Sequence, residues 1–219
     1  MTLEELKVLN PKISISNVED FSFNVYGRIL KDLDLDLDDL IKYTESTVTI
    51  PEEGNEYIAS VPEIEKFAVI DDIKDIVYGQ LDIEAGSCTG QNTSLTGVEY
   101  HQGSEVTIAV TDCVLIVGKL QDMHNNNYDS SKAKAFYLKK GQAIELYGTT
   151  LHYTPCKVDA NGFMTIVLLL KGTNFPVASN NKILTKKNKY FVTHASQEGK
   201  VKDGVHPGLQ GELLEIKLS

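Results

Sequence analysis

Cysteine, positive charge and long apolar runs are all scarce in this chain, and each scarcity closes off a class of function. Among 219 residues only Cys88, Cys113 and Cys156 carry thiols, with no C-x-x-C pair. An odd, scattered set argues against a disulfide framework and fits a reducing compartment. Lysine and arginine number 21 against 31 aspartates and glutamates, a net charge of −10. A field of that sign repels nucleic acid and anionic membranes, so neither is an expected partner. An anionic substrate would need a local cation, such as a bound metal, to be held. No apolar run exceeds residues 166–170, far short of a bilayer span. The acidic start Met1-Thr2-Leu3-Glu4-Glu5-Leu6 lacks the basic and apolar regions of a secretion signal, so a cytoplasmic location is expected. Neither a phosphate-binding glycine loop nor a dinucleotide fingerprint occurs, and no hydroxyl residue stands in a nucleophile-elbow context.

What is present is a hydrophobic fraction of 42%, enough for a buried core. Thr2 and Glu5 form a capping-box pattern ahead of Leu3, Leu6 and Leu9, which predicts a short helix ending before Pro11. In the acidic run 31–40, Leu33, Leu37, Leu40 and Ile41 fit one helical face entered through carboxylates that suit the positive helix end. Asp32, Asp34 and Asp36 have calcium-loop spacing, but no glycine holds the sixth position and Tyr43 replaces the glutamate of the twelfth. The run therefore reads as a solvated acidic cap. Residues 51–62 read as loop and 64–78 as mixed. From Gly79 onward the pattern is β. Val106, Ile108 and Val110 alternate, Thr111-Asp112 marks a turn and the apolar run 114–117 follows, a hairpin signature. Further strands are expected over 135–138, 143–147, 163–170 and 190–194, with a turn at Asp159-Ala160-Asn161-Gly162. Many short strands parted by Gly- and Asn-bearing turns point to a barrel or jelly roll. With no linker or repeat, the chain reads as one mainly β domain over 1–219: a mixed helix and strand extension over 1–78, then a barrel core over 79–219.

The chemistry concentrates in Glu99-Tyr100-His101-Gln102-Gly103-Ser104-Glu105 and in His152. Glu99 and His101 are two apart, so on an extended strand both leave one face; Glu105 keeps the same parity. His152 lies in a second β-rich segment able to fold back across them. Imidazole nitrogen with carboxylate oxygen suits Mn²⁺, Fe²⁺, Zn²⁺, Co²⁺ or Ni²⁺, and the lack of thiolate ligands disfavours a closed structural zinc site. Each residue also has a plain structural reading: Glu99 as a strand residue, His101 and His152 as satisfied core histidines, Glu105 as a lysine partner at the rim. Arg28 is a candidate for holding a substrate carboxylate, or an ordinary ion-pair residue. Tyr100 should face the opposite side of its strand. Cys88 and Cys156 are small enough to line a pocket without any visible cause for a lowered pKa. His194 and His206 read as surface or structural, and Lys186-Lys187-Asn188-Lys189 as a solvated turn.

These residues resemble the cupin superfamily. Its first motif is H-x-H, then Glu three or four residues later, then Gly after six more; here Glu99, His101 and Glu105 take the ligand positions and Asp112 replaces the glycine. Its second motif is G-x5-P-x-G-x2-H-x3-N; Gly141 and His152 match, while Tyr147, Thr149 and Cys156 depart. Tyr26-Gly27-Arg28, Glu99-Tyr100-His101 and Leu151-His152 are also similar to ureidoglycolate-lyase-like cupins. The chain looks most similar to an uncharacterised bacterial cupin-like family, whose members are expected to carry counterparts of Gly86-x-Cys88-x-Gly90, Thr150-Leu151-His152, Gly172-Thr173-Asn174 and Asn188-Lys189.

The resemblance implies a cupin-type jelly-roll β-barrel with an N-terminal helical extension. It also implies a divalent transition metal on Glu99, His101, Glu105 and His152, and pairing into a homodimer. A metal with open positions polarises a carbonyl and holds a diol-like substrate, while Glu105 or Glu99 moves a proton between carbons. The leading expectation is an isomerase, epimerase or lyase for a small polar carbohydrate or sugar acid. The alternatives are a non-catalytic small-molecule binder or sensor and, lower, an iron-dependent dioxygenase crowded by its extra carboxylate.

Overall fold

Residues 1–33 and 35–218 are described by the structure, a computed structural model. The capping box forms as its sequence predicts. Helix α1 (Leu3–Leu9) starts at Thr2, whose hydroxyl accepts from Glu5 N while Glu5 Oε2 accepts from Thr2 N. The acidic run yields a shorter helix than its leucines predict. Helix α2 (Asp38–Thr47) includes Leu40 and Ile41, but Leu33 ends a separate 3-10 turn and Leu37 stands before the helix. Asp34, the middle residue of the calcium-loop spacing, lies outside the described residues. Helix α3 (Ala68–Ile76) occupies the mixed segment and buries Val69, Ile70 and Ile73 on one face.

Two large sheets follow from the β-rich region. The six-stranded sheet runs β2 (Gly27–Ile29), β10 (Ala143–Leu146), β6 (Glu105–Ala109), β13 (Phe163–Leu170), β4 (Ile83–Gly90), β3 (Asn55–Ile58), antiparallel throughout. The five-stranded sheet runs β1 (Ile15–Asn17), β9 (Lys134–Leu138), β7 (Cys113–Lys119), β11 (Thr150–Leu151), with β12 (Cys156–Lys157) also on β7. A smaller sheet orders β14 (Leu184–Lys186), β15 (Lys189–Thr193) and β5 (Gly97–Tyr100), and β16 (Leu209–Gln210) pairs with β8 (Tyr128–Asp129). Helix α4 (Glu198–Lys202) precedes β16. Among the described residues no sheet closes on itself, so the architecture is two facing open sheets.

Alternation along the strands divides the core into layers. Leu115 and Val117 of β7 share a cluster with Phe136 of β9, Leu146 of β10 and Val167 of β13, filling the space between the sheets. Val106 and Ile108 of β6 and Ile166 and Leu168 of β13 point the other way, onto α2 and α3. Val114 and Ile116 of β7 pack outward with Leu6 of α1 and Ile216 near the C-terminus.

Three expectations change. Residues 106–117 are not a hairpin: β6 and β7 belong to opposite sheets. Val110 N and Thr111 N both donate to Met164 O, and the Thr111 hydroxyl accepts from Met164 N, so this segment arches over β13 into the other layer. Both strands are buried on both faces, which gave them a hairpin's hydrophobicity without its pairing. The expected loop 51–62 contains β3, whose four residues are all exposed and so carry no apolar alternation. Lastly, residue 78 is no boundary in the sheets, because β1, β2 and β3 all come from the first 78 residues.

Candidate metal centre

Because Val106 and Ile108 face the helices, Glu105 and Thr107 on β6 must project between the sheets, where both line a cavity of about 330 Å³. Glu99 reaches the same cavity from β5. Its N–H donates to His152 O at 2.8 Å, and His152 N–H donates to Glu99 O at 3.0 Å, joining the small sheet to the end of β11. His101, two residues beyond Glu99, completes the group.

Each imidazole is oriented from behind. His101 Nδ1 lies 2.8 Å from the Asn188 carbonyl and His152 Nδ1 lies 3.0 Å from the Thr150 carbonyl. A carbonyl only accepts, so Nδ1 carries the proton on both rings and Nε2 of a neutral ring is left as a lone pair facing the cavity. His101 Nε2 is 3.9 Å from Glu99 Oε1 and also 3.9 Å from Glu105 Oε2; His152 Nε2 is 3.2 Å from Glu105 Oε2. Despite that proximity, the buried His152 Nε2 has no aligned hydrogen-bond partner. One donor atom each from Glu99, His101 and His152 lie within 4.8 Å of one another. Glu105 stands beside this trio with Oε1 accepting from the Thr107 hydroxyl at 3.0 Å.

The electrostatics are those of two buried carboxylates kept ionised by the cationic groups beside them. Burial pushes Glu99 up, but Lys189, His101 and His152 together outweigh it and hold its carboxyl below the usual range. Burial likewise opposes ionisation of Glu105, and His152 and His101 prevail. His101 is lowered, burial outweighing the pull of Glu99 and Glu105. For His152 the balance reverses: burial lowers it, but Glu105 and Glu99 prevail and raise it to about 9. A proton on His152 thus serves where a cation would. Converging nitrogen and oxygen donors and an unpartnered buried Nε2 fit a divalent transition ion.

The four predicted ligands are therefore brought together, with Glu105 adjoining a trio of Glu99, His101 and His152. Arg28 is not part of this wall; its Nε pairs with Glu145 Oε2 at 2.6 Å across β2 and β10. Tyr100 stacks on Tyr190 with centroids 4.6 Å apart, on the opposite side of β5. Cys88 lines the cavity, but burial and Glu105 push its thiol up to about 12, so it is no ready thiolate. His194 is structural: its ring nitrogens lie 2.8 Å from Ser196 Oγ and 3.1 Å from Gly211 O.

Residues near the C-terminus that the sequence reading set aside also build the site. Lys189 contacts Glu99 Oε2, so the two Glu99 oxygens face different partners, Oε1 toward His101 and Oε2 toward lysine. Asn188 adopts φ of 58°, and its side chain bonds Gln102 N and Thr173 Oγ1 at 2.8 and 3.0 Å while its carbonyl holds His101. Lys200 on α4 and Tyr153 complete the far wall, with Tyr57 and Asn174 beside them. Short motifs that resembled one family, around Cys88, His152, Asn174 and Asn188-Lys189, thus converge on one cavity.

The chain belongs to the DUF4867 family. The family model, described as a domain of unknown function, matches residues 15–214. No functionally curated protein shows significant similarity to the sequence. Among solved structures, EvdO2 from Micromonospora carbonacea var. aurantiaca, complexed with 2-oxoglutarate, is 12% identical over 57% of this chain and 67% of its own, with a TM-score of 0.39. Oxalate decarboxylase from Bacillus subtilis, a protein with Mn(II) centres, is 10% identical over 66% of this chain and 36% of its own, TM-score 0.33. The non-heme monooxygenase ThoJ in its nickel complex is 15% identical over 48% and 51%, TM-score 0.32. These likenesses are remote in sequence and in shape.

Proposed function

We propose that this protein is a metal-dependent enzyme of cupin type, an isomerase, epimerase or lyase acting on a small polar carbohydrate or sugar-acid-like molecule by moving a proton at carbon. The observation that carries the reading is the buried convergence of Glu99, His101 and His152 with Glu105 alongside. Glu99, His101 and His152 would hold the ion. When bound, such an ion supplies a Lewis acid that polarises a carbonyl and steadies two substrate oxygens. The chain does the rest. Asn188 and Thr150 fix the imidazoles, the apolar layer between the sheets limits water, and Glu105 holds or takes the proton on Oε2 while Thr107 steadies Oε1.

The two-sheet architecture supports a jelly-roll of the cupin kind, and β3, an exposed edge strand, supports pairing with a second copy. Among the described residues no helix is long and apolar enough to cross a membrane. The test is to incubate the metal-loaded protein with aldonic and uronic acids in D₂O and follow solvent deuterium at the carbon beside the carbonyl by NMR. Wash-in is expected, and Glu105→Ala should abolish it with little change in melting temperature. Deuterium-free substrates throughout, or full wash-in by Glu105→Ala, would remove the proton-transfer role.

A second reading rests on the trio itself. Two histidines and one carboxylate with open positions suit iron and dioxygen chemistry. Turnover that requires both Fe²⁺ and O₂ would favour it.

A further inference from the structure

The cavity has a second charged wall that the metal reading does not use. Lys200 Nζ donates to the Tyr153 hydroxyl at 2.7 Å and lies 5.0 Å from the Tyr153 ring centre. Among the described residues no carboxylate lies within ion-pair distance of it, in a chain whose acidic residues far outnumber its basic ones. Lys189 and Lys200 flank the same ring, 5.6 and 5.5 Å from the Phe191 centroid. Burial lowers the Lys200 pKa and the neighbouring Lys189 ammonium adds to that, while Glu99 pulls it back up only in part. Lys189 is ion-paired with Glu99, while Lys200 contacts a neutral hydroxyl and aromatic faces and feels Glu99 only through space. An unanswered cation aimed into a cavity is a place for an anion.

We infer that Lys200, positioned by Tyr153 and backed by Lys189, is the subsite for the substrate's carboxylate, lining the same cavity as the Glu99, His101 and His152 trio. The inference rests on the proposed site and narrows its substrate to acids. A monoanionic carboxylate matches Lys200, the cavity lysine that forms no ion pair among the described residues. A phosphate carries up to twice that charge and would face Glu99 and Glu105 undercompensated. About 330 Å³ admits a small acid and excludes a macromolecule. Lys200 acts by binding substrate; Tyr153 is a positioning residue.

The test is calorimetric titration of the full-length protein, metal-free and metal-loaded, with gluconate, its neutral counterpart sorbitol and inorganic phosphate. Gluconate should bind at least about tenfold more tightly than sorbitol, and Lys200→Met should remove that preference. Lys200→Arg should keep most of it, and Tyr153→Phe should weaken it less than Lys200→Met. Metal content, measured in parallel, should be unchanged in all three variants. Equal binding of acid and alcohol overturns the inference, as does no gluconate binding up to about 10 mM or full affinity in Lys200→Met. Phosphate binding tighter than gluconate would overturn the assignment to a carboxylate. A wild-type protein that takes no metal but keeps a Lys200-dependent preference would instead fault the metal reading and leave this subsite standing.

Discussion

The two walls of the cavity are built in opposite ways. The carboxylate and imidazole wall stands on strand ends, with His101 and His152 buried and each ring fixed by a backbone carbonyl. The lysine wall comes from β15 and the five-residue α4, and aromatic faces and a phenol hold its ammonium groups. The first wall carries two carboxylates and its imidazoles are held from behind; the second carries two ammonium groups, of which only Lys189 is ion-paired. A substrate joining a metal-binding oxygen to a carboxylate would bridge that difference.

The comparison breaks most completely at the imidazole wall. His152→Ala removes one of the two imidazoles proposed to hold the ion, so affinity for a divalent transition ion should fall by on the order of 100-fold, read by competition with a chromophoric chelator. Lys189→Met should divide the two walls. It leaves Glu99, 13% exposed, without its counter-charge, and should cost about 2–3 kcal/mol in denaturant melts of the metal-free protein. Adding metal should recover part of that loss; equal destabilisation with and without metal would show that Glu99 does not face the ion. Asn188→Ala should lower metal affinity about tenfold, through a misplaced His101 carbonyl partner and a left-handed backbone that alanine tolerates poorly. Arg28→Gln should be smallest, within about 1 kcal/mol in stability and without effect on metal content, because its guanidinium is about half exposed and away from the cavity.

The same contrast explains what the sequence made legible. Glu99, His101 and Glu105 lie within seven residues, so their nearness is legible. Their common direction is not a matter of parity on one strand, because Glu99 is on β5, Glu105 on β6 of another sheet, and His101 lies in the connection between them. His152 could be added because a β-rich segment carries it back. Lys189 and Lys200 offered no such handle. Their place depends on β15 pairing with β5, with Phe191 opposite Glu99, and on α4 lying against Tyr153; neither pairing leaves a periodic trace. In the fold, strand positions were legible wherever both flanking turns were marked, as at residues 163–170. Pairing was not. The arch at Val110-Thr111 depends on hydrogen bonds to Met164, more than fifty residues away, and a local pattern cannot distinguish it from a hairpin turn. Strand β3 was missed because an exposed edge needs no apolar alternation.

The central claim is that Glu99, His101 and His152 hold a metal ion. Plasma mass spectrometry of the untagged protein, beside Glu99→Ala and His152→Ala, tests it most directly. Near-stoichiometric transition metal in the wild type, lost in both variants, is the expected result. A wild-type protein that carries no metal and takes up none on reconstitution would contradict it, leaving His152 and Glu105 as a buried ion pair in a metal-free binding cavity.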